Sequence, residues 1–457
     1  MKIILLSGGS GKRLWPLSND SRSKQFLKVL KNEEGQAESM VQRVWKQLSA
    51  AGLSQEAFIT TNRGQYESIV SQLGPEVPVI IEPSSRDTFP AVSLAATYLH
   101  SELRVSGDET IVILPVDPYV ENEFYHKIKE LDFLLERTKA HLALIGVTPT
   151  FPSEKYGYIV PSLGQEGPYS WVDSFVEKPN MQKAEQLISQ NALWNCGIFS
   201  FKLGTFMEIL ESKGIVADFD LMKKNYSELP KISLDYEVVE KLSQVIVTEY
   251  KGTWKDLGTW NTLSEEMGNS ILGQGLMDEE SKNTHIVNEL EIPVVVLGCS
   301  NLVVAVSPDG VLVTEKSASP KLKEIIKEID GRPMFVERRW GWYRVLDYVS
   351  YPDGKEVLTK RVHINKGKNL SYHYHKCRTE VWSVLSGKGH LILDGVYSTI
   401  QAGDIINIPA GAVHSIYSEE ELEFIEIQKG PFIREDDVYR LLMEWEEIIN
   451  NIQVSKL

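Results

Sequence analysis

Four short apolar runs, KIILL (2–6), VPVII (77–81), TIVIL (110–114) and LALIGV (142–147), are separated by stretches of helical spacing. The first of them leads straight into a glycine-rich turn, Ser7-Gly8-Gly9-Ser10-Gly11. Runs of this length and apolarity suit strands covered on both faces, which need helices as crossovers. The alternation therefore predicts an α/β domain over residues 1–265 with a mixed, mostly parallel sheet. Its ligands are expected beyond the C-terminal strand ends.

The pattern then changes. Residues 266–332 carry short β runs (IPVVVLG, LVVAV, VLVTE) broken by Gly, Asn and Pro-Asp-Gly, followed by one amphipathic helix, PKLKEIIKEI, and read as a β-rich connector. Residues 333–457 alternate strands and turns (LTKRVHI, EVWSVLSG, GHLILDG, DIINIPAG, EFIEIQ), which predicts a small antiparallel barrel closed by a helix over residues 435–451. A chain of 457 residues is long enough for two or three such cores.

The formal net charge of −15 argues against nucleic acid or an anionic membrane as partner, since both need a broad basic surface. One local cluster stands out: Lys12, Arg13, Arg22, Lys24 and Lys28, in a segment where Asp20 is the sole acidic residue. Cys196, Cys299 and Cys377 give neither a disulfide framework nor a paired metal motif. The N-terminus, MKIILLSGGSGKR, has too short an apolar run for a signal-peptide core or a membrane span, so the expected location is the cytoplasm.

Backbone amides in a turn of Gly8, Gly9 and Gly11 can approach phosphate oxygens, with Lys12 and Arg13 supplying charge. A P-loop is excluded, because Leu6 stands where it needs glycine and Arg13 where it needs a hydroxyl. A dinucleotide fingerprint fails at Leu14.

The wider string LLSGGSGKRLWPLSNDSRSKQFLKVL resembles the signature of the sugar-phosphate nucleotidyltransferases, specifically the mannose-1-phosphate guanylyltransferases with their GGxGTRLWPLSR…PKQFL pattern. Lys12 replaces the family's Thr, Asn19 its Arg and Ser23 its Pro, while Arg13 and Lys24 are kept. The resemblance implies a Rossmann-like nucleotidyltransferase domain that converts GTP and α-D-mannose 1-phosphate to GDP-mannose and diphosphate. Arg13 and Lys24 are then catalytic. Asp117 in ILPVDPYV and Asp256 in WKDLGTW hold Mg²⁺, although the family's Pro-Ala-Asp-His reads Pro-Val-Asp-Pro here. Leu6, Gly8, Gly9, Gly11, Lys12, Glu82, Arg86 and Thr88 take the nucleotide, Glu82 accepting from guanine's N1-H and 2-amino group. Gly157, Glu177, Lys178, Asn195 and Gly197 take the sugar phosphate, with Cys196 a packed thiol. A homodimer is expected. A guanylyltransferase for glucose, fucose or heptose 1-phosphate remains the alternative.

Gly367, His373, His375, Glu380 and Gly387, then Gly403, Pro409, Gly411 and His414, satisfy the two cupin motifs. His373 and His375 share one face of a strand. With Glu380 and His414 they make a site for Zn²⁺, Mn²⁺, Fe²⁺ or Ni²⁺, Zn²⁺ foremost. His363 and His390 read as structural. RRWGWYRVLD, LSYHYHKCRTEVWSVLSG and IEIQKGPFIREDD resemble the C-terminal phosphomannose isomerase domain of bifunctional guanylyltransferases. His373 replaces that pattern's Gln and Val381 its His, and the terminal Tyr-Gly-Arg is missing. Mannose-6-phosphate isomerisation is the implied second activity, and a non-catalytic cupin for assembly or ligand sensing is the alternative.

Overall fold

The computed structural model describes residues 1–9, 11–19, 21–162, 167–329 and 331–454. Ser10 of the glycine turn and Asp20 of the basic segment lie outside the described residues.

Strand β1 (Lys2–Leu6) lies inside a nine-stranded sheet, parallel to Ala57–Asn62 on one side and Thr110–Pro115 on the other. The spatial order is Val79–Glu82, Ala57–Asn62, Lys2–Leu6, Thr110–Pro115, Leu193–Lys202, Leu142–Val147, Val245–Tyr250, Ser170–Val176, Tyr158–Pro161. Leu193–Lys202 and Ser170–Val176 run against the others, giving the expected mixed, mostly parallel sheet. The side-chain alternation of β1 divides the core. Ile3 and Leu5 pack with helix α1 (Met40–Ala50), and Ile4 packs on the opposite face with α3 (Thr88–Ser101). Between them in sequence lies α2 (Arg63–Leu73), started by the Asn62 side chain accepting from the Gln65 amide. Helix α1 begins in a Ser39/Gln42 capping box.

Leu193–Lys202 is irregular between Asn195 and Phe199, where Gly197 takes φ 73°. That bulge turns Asn195 and Cys196 toward the end of the sheet where Thr110–Pro115 finishes.

In the connector, Ile271–Leu272, His285–Asn288 and Leu302–Ser307 pair in parallel, as do Gly275–Met277 and Val294–Val296, so the chain coils. The amphipathic helix expected from PKLKEIIKEI is not continuous. It breaks into a 3-10 turn (Lys316–Lys321), one α turn (Leu322–Ile325) and a second 3-10 turn (Ile326–Glu328), because only Leu322 and Ile326 find a buried surface while Ile325 and Ile329 face water. The C-terminal part is a six-stranded and a five-stranded antiparallel sheet around one apolar cluster. Its last helix begins at Trp445 rather than 435. Tyr439–Leu442 is a strand instead, because it pairs with Tyr372–Tyr374. Among the described residues no helix is long and apolar enough to cross a membrane.

Leu14, Leu17 and Leu27 of the basic segment share a core with Trp260, Val303, Ala305 and Leu322, so the connector braces that segment from behind. Trp260 is fully buried and its indole donates to the Trp15 carbonyl at 3.0 Å. Trp260→Ala is expected to cost about 3–5 kcal/mol, read as an earlier first unfolding transition in calorimetry. A transition at the wild-type temperature contradicts this packing.

Candidate active site and metal centre

Lys24, at the start of a 3-10 turn, pairs with Asp117 and stands 3.8 Å from an Asp256 carboxylate oxygen. Asp117 follows Thr110–Pro115, and Asp256 ends Trp254–Asp256, which pairs antiparallel with Pro118–Val120 so that Asp256 sits opposite Pro118. Burial opposes the Lys24 charge, but the two carboxylates hold its ammonium above the ordinary lysine value. Burial likewise opposes the Asp117 charge, and Lys24 overcomes it and holds the carboxyl below the usual range. Asp256 Oδ1 is buried with no hydrogen bond, an orphaned anionic oxygen beside a second carboxylate. Such a pair of hard oxygen donors fits a divalent cation such as Mg²⁺. Gly258 leaves room here, since a Cβ would lie 2.8 Å from Asp256 Oδ1 and 3.1 Å from Lys24 Nζ and would push the Asp256 carboxylate and the Lys24 ammonium aside.

Among the residues expected from the sequence, the cleft around this group is lined by Arg13, Lys24, Asp117, Gly157, Glu177, Asn195, Gly197 and Asp256. A Cβ at Gly157 would strike the Glu177 carboxylate, so the backbone must be bare there. Glu177 Oε2 is buried without a donor, left to accept from a ligand hydroxyl, while Oε1 pairs with Lys178. Lys178 is half-exposed and outside the lining. Cys196 is buried and its thiol pushed up by burial, a packing residue.

The glycine turn is pinned from both sides. Gln65 donates to the Gly9 carbonyl at 3.1 Å, Ser23 to the same carbonyl at 3.0 Å, and Gln25 to the Ser7 carbonyl at 3.1 Å. A Cβ on Gly11 would lie 2.8 Å from the Lys24 amide, and one on Gly8 2.7 Å from Glu82 Oε1. Glu82 is buried, accepts from the Tyr226 hydroxyl at 2.7 Å, and is pushed up to about 7 by burial. Arg86 donates to the Leu229 carbonyl at 2.8 Å and Thr88 accepts from the Leu234 amide at 2.8 Å. Leu6, Gly8, Gly9, Gly11, Lys12, Glu82, Arg86 and Thr88 lie outside the cleft lining.

Sequence reasoning missed Lys155, Trp254 and Asp235, all in the lining. Asp235 accepts from Asn195 at 2.9 Å and is pushed up to about 7 by burial and by Glu177. A lone Asp in SLDYE carries no sequence signal, because its approach to Asn195 is tertiary.

In the barrel, His373, His375 and His414 place ligand nitrogens within 4.8 Å of one another, all buried. His373 Nδ1 meets the Ser371 carbonyl at 2.6 Å, His375 Nδ1 the Asp437 carbonyl at 2.5 Å and His414 Nδ1 the Ala412 carbonyl at 3.0 Å. A carbonyl only accepts, so each Nδ1 donates there and the Nε2 atoms are left as the candidate ligand atoms, that of His375 also lying 3.2 Å from Arg378 Nη2. His414 Nε2 is buried with no partner, which fits a bound metal. Glu380 joins them, 3.1 Å from His375 Nε2, but its oxygens also accept from Arg378 at 3.0 Å, Gln428 at 3.2 Å and Trp382 at 3.1 Å. His363 pairs with Glu421 and Glu423, and His390 with Glu419, away from this centre.

Residues 2–270 match the family described as Nucleotidyl transferase, and residues 330–443 match Mannose-6-phosphate isomerase C-terminal. The chain is 30% identical to a putative mannose-1-phosphate guanylyltransferase of Vibrio cholerae, covering 96% of this chain and 98% of that one. It is 28% identical to the alginate biosynthesis protein AlgA of Pseudomonas aeruginosa, covering 96% and 95%. The crystal structure of mannose-1-phosphate geranyltransferase from Thermus thermophilus superposes with TM-score 0.61 at 28% identity, covering 72% of this chain and 99% of that chain.

The three-imidazole arrangement predicts that chelator-stripped protein takes up one equivalent of Co²⁺ or Zn²⁺, followed by calorimetry or the cobalt visible bands. His375→Ala should weaken uptake at least about tenfold. Uptake unchanged in that variant contradicts the assignment.

Proposed function

This chain belongs to the mannose-1-phosphate guanylyltransferase family, and from that premise we propose that it transfers the guanylyl group of GTP to α-D-mannose 1-phosphate, releasing diphosphate. The observation that carries the reading is Lys24 held between Asp117 and Asp256, at the cleft end where Gly157, Glu177 and Asn195 gather.

A phosphate oxygen of the sugar 1-phosphate attacks the α-phosphorus, and the bond to the β-phosphate oxygen breaks in line. The nucleophile has a second pKa of about 6, so it is already largely dianionic and needs no strong base. Arg13 and Lys24 offset the charge that gathers on the α-phosphoryl group, Lys24 from a position that Asp117 and Asp256 fix before substrate arrives. The backbone amides of Gly8, Gly9 and Gly11 face the triphosphate, held open by Gln65 and Ser23. Asp117 and Asp256 would hold Mg²⁺, which when bound neutralises phosphate charge. Glu177 accepts from sugar hydroxyls through its orphaned oxygen, and the Asn195–Asp235 pair holds the facing wall.

A second reading concerns the barrel, and the three buried histidines favour it. Their metal, when bound, would polarise a sugar carbonyl or hydroxyl, consistent with isomerisation of mannose 6-phosphate. Interconversion of mannose and fructose 6-phosphates that disappears in His375→Ala supports this. No interconversion by metal-loaded protein leaves the barrel a non-catalytic part.

The transfer is tested by diphosphate release with GTP, ATP, UTP and dTTP crossed against mannose, glucose and fucose 1-phosphates. Release confined to GTP with mannose 1-phosphate, and lowered at least about a hundredfold by Lys24→Ala, is expected. Preference for another sugar rejects the substrate, and release undiminished in Lys24→Ala rejects the site. Glu82 gives a pH signature. Its carboxyl is raised to about 7, so the ionised form that accepts from guanine grows as pH rises through that value. The KM for GTP should fall from about pH 6 to about pH 8, and Glu82→Gln should flatten the dependence. An unchanged profile in that variant rules out Glu82 as the guanine acceptor.

A further inference from the structure

The transferase cleft holds a cation that the Lys24 group does not account for. Among the described residues its lining carries three: Arg13, Lys24 and Lys155. Lys24 is engaged by Asp117 and Asp256. Lys155 is exposed and makes no ion pair among the described residues. The charges that act on its ammonium are Asp256, which attracts it, and Arg13, which repels it. Two cations on either side of one carboxylate, already shared with Lys24, leave a place that favours a further anion. Lys178, by contrast, pairs with Glu177 and stands outside the lining.

The backbone beneath Lys155 is fixed although the side chain is exposed. Its amide donates to the Ser153 hydroxyl at 3.2 Å. The buried Tyr158 hydroxyl accepts from the Ser153 amide at 2.8 Å and donates to the Ser153 carbonyl at 3.1 Å. On the other side of Lys155, the Asn195 amide donates to the Gly157 carbonyl at 2.8 Å. Tyr156 lies edge-on to two indoles, its ring centroid 4.8 Å from that of Trp194 and 5.5 Å from that of Trp254. Trp254 and Asp256 are two apart on one strand and share a face, so the contact of Tyr156 with Trp254 sets Lys155 relative to Asp256. Lys155 therefore stands on the wall between Gly157, Glu177 and Asn195 on the sugar side and Arg13 and Asp256 on the phosphoryl side. The phosphate of a sugar 1-phosphate belongs at that point, because it joins the sugar ring to the α-phosphorus it attacks.

We propose that Lys155, rather than Lys178, holds the phosphate of the sugar 1-phosphate, an inference that rests on the guanylyl-transfer reading. Its ammonium donates to phosphate oxygens that do not attack, as a point charge on a flexible stem. The attacking oxygen forms its bond to the α-phosphorus while the bond from that phosphorus to the diphosphate oxygen breaks, and diphosphate leaves with the electron pair. Lys155 keeps its proton throughout and ends on the sugar-side phosphate of the product. It thus sets the affinity for the sugar ester, and the affinity for GTP is left to the glycine turn and Lys24.

The test is steady-state diphosphate release by the full-length protein, with GTP and the sugar 1-phosphate varied in turn, using the ester that the unmodified protein turns over fastest. Lys155→Met, which keeps the stem and removes the charge, should raise KM for the ester at least about tenfold and KM for GTP less than about twofold. The GTP value shows that the variant is folded. Lys155→Arg, which restores a cation, should recover most of the lost affinity, and Lys178→Met should raise the ester KM less than Lys155→Met does. An ester KM unchanged in Lys155→Met, a rise shared equally by GTP, or a larger rise in Lys178→Met overturns the assignment while transfer itself stands. No diphosphate from the unmodified protein with any pair of substrates defeats the transfer reading, and the assignment with it.

Discussion

An ammonium and two carboxylates share one corner of the transferase cleft, and much of the surrounding structure serves to keep them there. Burying Lys24 is unfavourable unless Asp117 and Asp256 are at hand, and burying Asp117 is unfavourable without Lys24. The three groups come from sequence positions far apart. The basic segment supplies Lys24, the end of Thr110–Pro115 leads to Asp117, and the short pairing of Pro118–Val120 with Trp254–Asp256 supplies Asp256. Gly258 leaves the space they occupy, and the core around Leu14, Leu17, Leu27 and Trp260 fixes the backbone from which Lys24 projects. The charge arrangement is therefore set before any substrate enters, as a reaction between two polyanions requires.

Helix α2 ties this corner to the rest of the molecule. On one side Gln65 holds the Gly9 carbonyl and reaches Gln25. Further along, Ser71 and Gln72 donate to Glu337 at 3.2 Å each, and Glu67 faces Arg338. The same helix thus positions the glycine turn and borders the mouth of the barrel cavity, so the transferase and barrel parts meet through polar contacts that begin at the phosphate loop.

How much of this is legible in the sequence follows from how local each signal is. The β1 strand and glycine turn are contiguous, and period-two alternation alone puts His373 and His375 on one face. Asp117 and Asp256 are visible through their motifs, but the strand pairing that joins them is not. Asp235, Lys155 and Trp254 reach the cleft only through tertiary folding. The expected connector helix fails for a physical reason: its apolar spacing is right, but Ile325 and Ile329 have nothing to bury against. Tyr439–Leu442 reads as helix in sequence because pairing with Tyr372–Tyr374 leaves no trace in a local window.

The account holds that the sugar phosphate attacks the α-phosphorus directly, in one step, beside Arg13 and the fixed group of Lys24, Asp117 and Asp256. The stereochemistry at that phosphorus tests this most directly. With GTP carrying a chiral α-thiophosphate, the configuration of the nucleotide-sugar product is read by phosphorus NMR. Inversion is the predicted result, because one in-line displacement inverts the centre. Retention would contradict the account, since it requires two displacements and a guanylylated side chain for which this cleft provides no role.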